Sequence, residues 1–147
     1  ARTQERELRA WLAGREGGHD RLLAALEGAA GEVESAHGAS VEVVVVGDVE
    51  LGDDTAALVA ASREAMVNAA KFAPGVPVDV FAEVGDDAIS VFVRDRGPGF
   101  DPAAVPPDRR GVRESIVGRM ARHGGRAEIR SAPGGGTEVE LTMPVAS

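Results

Sequence analysis

The chain has 147 residues, a formal net charge of −8 and no cysteine. This length suits one domain with a single core. The negative charge, with only 3% aromatic residues, argues against non-specific nucleic-acid binding. Without cysteine, disulfide bonds and thiolate metal sites are excluded, and a cytoplasmic location is favoured. The longest strongly apolar run is far shorter than the roughly 20 residues that cross a bilayer.

The start of the chain carries Leu8, Trp11 and Leu12 at helical spacing among charged residues. A helix this short is marginal alone, so we expect it to continue a helix from upstream and the chain to be a piece of a longer protein. A glycine-rich break follows, and no signal peptide is visible. We predict that residues 1–17 end an upstream helical segment and its linker, and that residues 18–147 form the domain.

The next three predicted elements are a helix, a strand and a second, longer helix. Asp20 is expected to cap a helix that ends near His37-Gly38. A run rich in β-branched residues predicts a strand over 40–47. A long helix is predicted to begin at Asp53 or Asp54 and to end at Pro74-Gly75.

The second half of the chain is rich in hairpin signals. Strands are predicted over 76–84 and 88–94, a helix over 111–123, and a last pair of strands over 126–132 and 137–144. Because hairpins outnumber parallel crossovers, we predict an α/β fold. Its form is a two-layer sandwich, with a mixed, mostly antiparallel sheet and helices on one face.

Glu64, Asn68 and Lys71 fall on one face of the long predicted helix, at positions i, i+4 and i+7. Lys71 stands out as the single lysine of the chain. A carboxylate, an amide and an ammonium on one face favour contact with a polar ligand. An ordinary solvated helix face would give the same pattern, so both interpretations stay open for this helix alone.

Asp95 stands where a predicted strand runs out into a glycine-rich loop. A carboxylate sheltered at a strand end must find donors, and the exocyclic amine of a purine is one such donor. Gly97 and Gly99 would let the backbone turn sharply and lie close to a flat ligand. A simple tight turn is the alternative for this motif.

Two further motifs give only a weak signal for function when each is taken alone. A helix beginning around Gly111 would offer free backbone N–H groups to an anion. A glycine run, 134–136, precedes Thr137 and the last strand. Glycine turns are common in hairpins.

Taken in order, these four elements resemble the nucleotide-binding domain of DNA gyrase, heat-shock-90 chaperones, mismatch-repair ATPases and sensor histidine kinases, the Bergerat ATP-binding fold. The motifs that carry the resemblance are Glu64-x-x-x-Asn68, similar to the N box, Asp95-x-Gly97-x-Gly99-Phe100, similar to the first glycine box, and Gly136-Thr137, similar to the last. The resemblance covers roughly 41–144. Arg63-Glu64-Ala65, with Lys71 three residues after the asparagine, looks most like a bacterial histidine kinase.

The resemblance implies roles on the base side of a nucleotide. Asp95 would accept a hydrogen bond from the adenine amino group, with Thr137 close by. Gly97, Gly99 and Gly111 would supply room and backbone donors. One departure is that Asp108 stands where the family's central box usually has its first glycine.

On the phosphate side, the resemblance implies that Asn68 holds the Mg²⁺ that bridges the phosphates of ATP. Lys71 would contact a phosphate as a point charge, and Glu64 would be the base, or a base-like partner, near the attacked phosphate. ATP and Mg²⁺ are therefore the expected ligands.

The implied partners are a phosphoacceptor histidine domain of the same protein and, downstream, a response regulator. The full-length protein is expected to be a homodimer, and whether it also has a membrane anchor stays open. His19-Asp20 follows two glycines and is not the acceptor we expect. Two alternatives stay open: an anti-sigma factor serine kinase of the same fold, and a module that senses nucleotide without phosphotransfer.

Overall fold

The computed structural model of the chain describes residues 21–105 and 107–145. This part contains the helices α1 (Leu22–His37), α2 (Asp53–Phe72) and α3 (Pro107–Arg122), a 3-10 helix (Pro102–Ala104), and the strands β1 (Val41–Val46), β2 (Val78–Val84), β3 (Ala88–Asp95), β4 (Arg126–Ser131) and β5 (Thr137–Pro144). The predicted helix around Trp11, the Asp20 cap and the boundary at residue 17 lie outside the described residues.

The five strands form one sheet in the order β1-β2-β3-β5-β4. Strand β1 runs parallel to β2, and the other three neighbouring pairs are antiparallel. The prediction of a mixed, mostly antiparallel sheet in a two-layer α/β fold is therefore confirmed.

Alternation along the strands decides which face of the sheet the helices cover. In β2, Val78, Val80 and Ala82 are buried, whereas Asp79 and Glu83 are exposed. Since side chains alternate across a strand, the buried set shares one face. The helices complete a core on that face with the fully buried side chains Leu22, Leu26, Leu58, Met66, Ile116 and Met120.

The helix starts differ from the prediction. Helix α2 is capped by Gly52, not by Asp53 or Asp54, and Thr55 Oγ1 accepts a hydrogen bond from the Gly52 amide. The two aspartates lie in the first turn instead, where the helix dipole favours negative charge. At α1 the N-cap residue is Arg21, whose side chain makes no capping bond, and the predicted cap Asp20 is not among the described residues.

Helix α3 begins at Pro107, four residues earlier than predicted. Proline suits the first helical position because its fixed φ matches the helix and its missing N–H would be unpaired there. Gly111 therefore lies in the second turn, and the prediction of a free helix N-terminus at this glycine is wrong. The apolar side chain of Val117 on this helix is 39% exposed. No helix in the described ranges combines the length and apolarity needed to cross a membrane.

Candidate functional site

Helices α2 and α3 lie side by side and run antiparallel. Three contacts follow one another along the pair: Asp54 with His123, Glu64 with Ser115, and Phe72 with Arg109. Residue numbers rise along one helix as they fall along the other. One turn on from the Glu64–Ser115 contact, this register places Asn68 opposite Gly111.

Side chains of α3 contact the carboxylate of Glu64. Ser115 Oγ donates a hydrogen bond to Glu64 Oε1 over 3.1 Å, and Arg119 Nη2 lies 4.0 Å from the same oxygen. The Glu64 side chain is 28% exposed, so its carboxylate stays within reach of a ligand.

Asn68 carries an amide oxygen, Oδ1, that is buried and has no hydrogen-bond partner in the described part of the chain. Most buried polar atoms in proteins are paired, and leaving one unpaired costs free energy. A side chain added at Gly111 would meet nothing within 4 Å, so this glycine borders open space. The helix register therefore places the unpaired oxygen of Asn68 and the exposed Gly111 at the same level of the two helices.

Lys71 lies in the last turn of α2 and is exposed. It forms no ion pair with any other residue that the structure describes. Its ammonium group is thus available to a phosphate.

Asp95 ends β3 with its side chain buried, at 8% relative exposure. Its Oδ1 accepts a hydrogen bond from the Gly97 amide over 2.8 Å. Burial raises the pKa of Asp95 above 3.8, while the Gly97 amide, the positive charge of Arg109 and the Thr137 amide oppose that rise. A carboxylate with so little solvent gains most from an additional donor.

The glycines of the Asp95 loop pack against protein. A Cβ at Gly97 would collide with the Ala73 side chain just after α2, and one at Gly99, whose φ is +64°, would collide with the Ala132 carbonyl. Neighbouring segments therefore occupy the Cβ direction of both glycines, and the close approach of a flat ligand to this loop stays a prediction. Their missing side chains let the Asp95 loop contact α2 and the β4–β5 turn.

Sequence reasoning missed Ser131, which joins the two glycine motifs. Its hydroxyl accepts from the Phe100 amide over 2.9 Å, donates to the Gly136 carbonyl over 2.8 Å and lies 2.9 Å from Thr137 Oγ1. Ser131 pairs directly with Thr137 in the β4–β5 hairpin, so the hairpin register was the available signal. Thr137 is thereby fixed beside the end of β3.

Arg109 was also missed. Its guanidinium lies 4.2 Å from the Phe72 ring centroid and 5.0 Å from that of Phe100. Since it also lowers the pKa of Asp95, it connects the end of α2 with the Asp95 loop. The two groups of predicted residues, one on α2 and one at the β3 and β5 ends, thus border one region.

The fold and the placement of these motifs define an ATP-binding domain. The mycobacterial sensor histidine kinase MprB aligns with a TM-score of 0.66 and 23% identity, over 84% of this chain and 94% of the other. The histidine kinase domain of a blue-light-activated histidine kinase from Erythrobacter litoralis also gives a TM-score of 0.66, with 21% identity over 84% of this chain and 64% of the other. At these identities the likeness concerns the fold.

The chain belongs to the family of histidine kinase-, DNA gyrase B-, and HSP90-like ATPases, whose model matches residues 53–147. An uncharacterized sensor-like histidine kinase of Chloroflexus aurantiacus is 38% identical over 90 residues. That match covers 58% of this chain but only 15% of the relative. The resemblance to the ATP-binding domain of histidine kinases, predicted from the motifs, is confirmed.

Proposed function

We propose that this chain is the catalytic domain of a sensor histidine kinase in two-component signal transduction. In the full-length protein it would bind Mg-ATP and present the γ-phosphate to a histidine on a separate dimerisation domain. The observation that carries the proposal is the unpaired, buried oxygen of Asn68, which the helix register sets opposite Gly111 and one turn from Glu64. A response regulator would receive the phosphoryl group next, and the full-length protein would act as a homodimer.

The base end of the nucleotide is assigned to Asp95 and Thr137. A buried carboxylate with a raised pKa is a strong acceptor for the adenine amino group. Ser131 fixes the Thr137 hydroxyl at 2.9 Å, where it can share a water or the ring edge with Asp95. Gly97 and Gly99 support this end by holding the loop against α2 and the β4–β5 turn.

The phosphate end is assigned to Asn68, Lys71 and Gly111. The oxygen of Asn68 suits Mg²⁺, a cation that takes oxygen ligands and keeps several waters. When bound, Mg²⁺ would neutralise charge on the phosphate oxygens. Lys71 would add a point charge, and Gly111 would leave room for the phosphates without donating from a helix N-terminus.

Glu64 is assigned the role of base, or base-like partner, toward the attacking histidine. It lies one turn from Asn68, and its contacts from α3 fall on Oε1 alone. The other oxygen, Oε2, is left for accepting a proton. Most of the catalysis would come from positioning and charge neutralisation.

We expect this chain to bind Mg-ATP with an affinity in the micromolar to millimolar range but not to label itself, because no helix among the described residues carries a histidine followed by an acidic residue, the acceptor pattern that we expect. Calorimetry and incubation with γ-labelled radioactive ATP measure the two properties. Adding the acceptor domain encoded by the native gene should give label on a histidine of that domain. Acid-labile label on His19 would contradict the expectation, and label on a serine of another protein would favour the anti-sigma factor alternative.

Replacing Asn68 with alanine should weaken Mg-ATP binding by roughly ten- to a hundredfold, as expected for losing a contact to a charged group. ADP binding measured with EDTA should change much less. The melting temperature should not fall, because Asn68 Oδ1 has no hydrogen bond to lose within the described residues and alanine favours a helix. Equal weakening of both nucleotides would mean that Asn68 has only a structural role.

A further inference from the structure

Ser115 lies on the face of α3 that looks toward α2, one turn after Gly111. Its hydroxyl reaches Glu64 Oε1 over 3.1 Å, although the two residues are 51 positions apart in the chain. Ser115 belongs to none of the motifs that define the nucleotide site. A hydroxyl that donates to the proposed base nevertheless sits directly beside the chemistry.

Arg119 lies one further turn along the same face. Its Nη2 is 4.0 Å from Glu64 Oε1, and its Nε is buried without a hydrogen-bond partner in the described part of the chain. The Arg119 side chain is 38% exposed, so its guanidinium lies at the edge of the helix interface. Both α3 groups approach the same carboxylate oxygen.

We propose that Ser115 and Arg119 are positioning residues for Glu64. They fix one oxygen of the carboxylate and so aim Oε2 at the proton that the attacking histidine must lose. This inference rests on the proposed function, because it takes Glu64 as the base.

The physical reason lies in the freedom of a glutamate side chain. An unrestrained glutamate on a helix surface samples many rotamers, and fixing it costs conformational entropy. A misplacement of about 1 Å can cost roughly a hundredfold in rate. A hydrogen bond from Ser115 and the positive charge of Arg119, both on the neighbouring helix, restrict this freedom before the substrate arrives. A contact that served only to hold the helices together would affect stability and leave the rate unchanged.

The test measures phosphotransfer from ATP to the acceptor histidine in the full-length kinase. Ser115→Ala should lower kcat by roughly ten- to a hundredfold, with the KM for ATP and the calorimetric ATP affinity unchanged. Ser115→Thr keeps the hydroxyl and should restore most of the rate. Ser90→Ala is the matched control, because Ser90 lies on the opposite face of the sheet and should leave the rate unchanged.

A double-mutant cycle decides whether Ser115 acts through Glu64. In a Glu64→Gln background, Ser115→Ala should cause no further loss of rate, and Arg119→Gln should behave in the same way. A wild-type kcat for Ser115→Ala would overturn the proposal. An equal fractional loss in both backgrounds would overturn it as well, because the serine would then act independently of the glutamate.

Failure of the proposed function would look different. If the unmutated protein does not bind ATP, the proposed function is wrong. If Glu64→Gln transfers phosphate at the full rate, Glu64 is not the base, and the positioning proposal is wrong as well. Melting curves of each variant separate a rate effect from unfolding.

Discussion

Glu64→Gln should lower the rate of phosphotransfer to the acceptor histidine by at least roughly a hundredfold, the range expected for losing a general base. Glutamine has nearly the same shape and can still accept the Ser115 hydrogen bond through its amide oxygen. It is neutral and cannot take a proton from an attacking imidazole. ATP affinity should therefore stay near that of the unmutated protein while kcat falls.

The matched control for this variant is Glu32→Gln. Glu32 is also a helical glutamate, and its carboxylate pairs with Arg63 Nε over 2.8 Å at an exposed position. Breaking an exposed pair costs little, about 0–1 kcal/mol. Single-turnover measurements at saturating ATP compare the two variants. If Glu64→Gln transfers phosphate as fast as Glu32→Gln, Glu64 is not the base.

Local patterns were sufficient to predict most of the fold. Residues Gly85-Asp86-Asp87, between two predicted strands, indicated the β2–β3 hairpin, and the excess of hairpins over parallel crossovers indicated a mostly antiparallel sheet with helices on one face. These signals come from a few neighbouring residues and depend little on the rest of the molecule.

The first residues of two helices were predicted wrongly. The start of α3 was placed at Gly111 because the prolines before it resembled a loop, whereas Pro107 is the first residue of the helix. The cap of α2 was assigned to an aspartate side chain, whereas Gly52 occupies the position and Thr55 satisfies its amide. Both errors arise because several residue types satisfy the same helix end.

Part of the candidate site was also predictable from local sequence patterns, and part was not. The motif residues on α2 and at the β3 end were found because their order along the chain is distinctive. Ser115, Arg119 and Arg109 were missed because they act across the α2–α3 interface, which only the packed structure brings together. The contact between Gly97 and Ala73 was missed for the same reason, because the two residues belong to different elements.

Asp95→Asn should weaken ATP binding by roughly ten- to a hundredfold, the cost of about 1.5–3 kcal/mol for losing a hydrogen bond to a charged group. Asparagine keeps the volume and can keep the bond from the Gly97 amide, but it removes the charge and can present a donor to the adenine amine. Asp79→Asn is the matched control, because Asp79 is exposed on the open face of the sheet. GTP, which carries an oxo group at the position of the amine, should bind the unmutated protein poorly.

The thermal stability of Asp95→Asn tests whether burying the Asp95 carboxylate destabilises the fold. Burial raises the pKa of Asp95 above 3.8, so the folded state holds the proton on this carboxyl more tightly than the unfolded chain does. The stabilisation that comes from this proton is fully present below pH 3.8 and is lost as the pH rises through the folded-state pKa. At neutral pH the ionised carboxylate is therefore unfavourable without a ligand, and Asp95→Asn should melt at or above the temperature of the unmutated protein. This advantage should disappear as the pH falls below 3.8. Calorimetry tests the adenine contact: equal ATP affinity in Asp95→Asn and the unmutated protein, or equal affinity of the unmutated protein for ATP and GTP, would rule it out. Melting curves test the cost of burial. A lower melting temperature of Asp95→Asn at neutral pH would show that the carboxylate stabilises the fold instead.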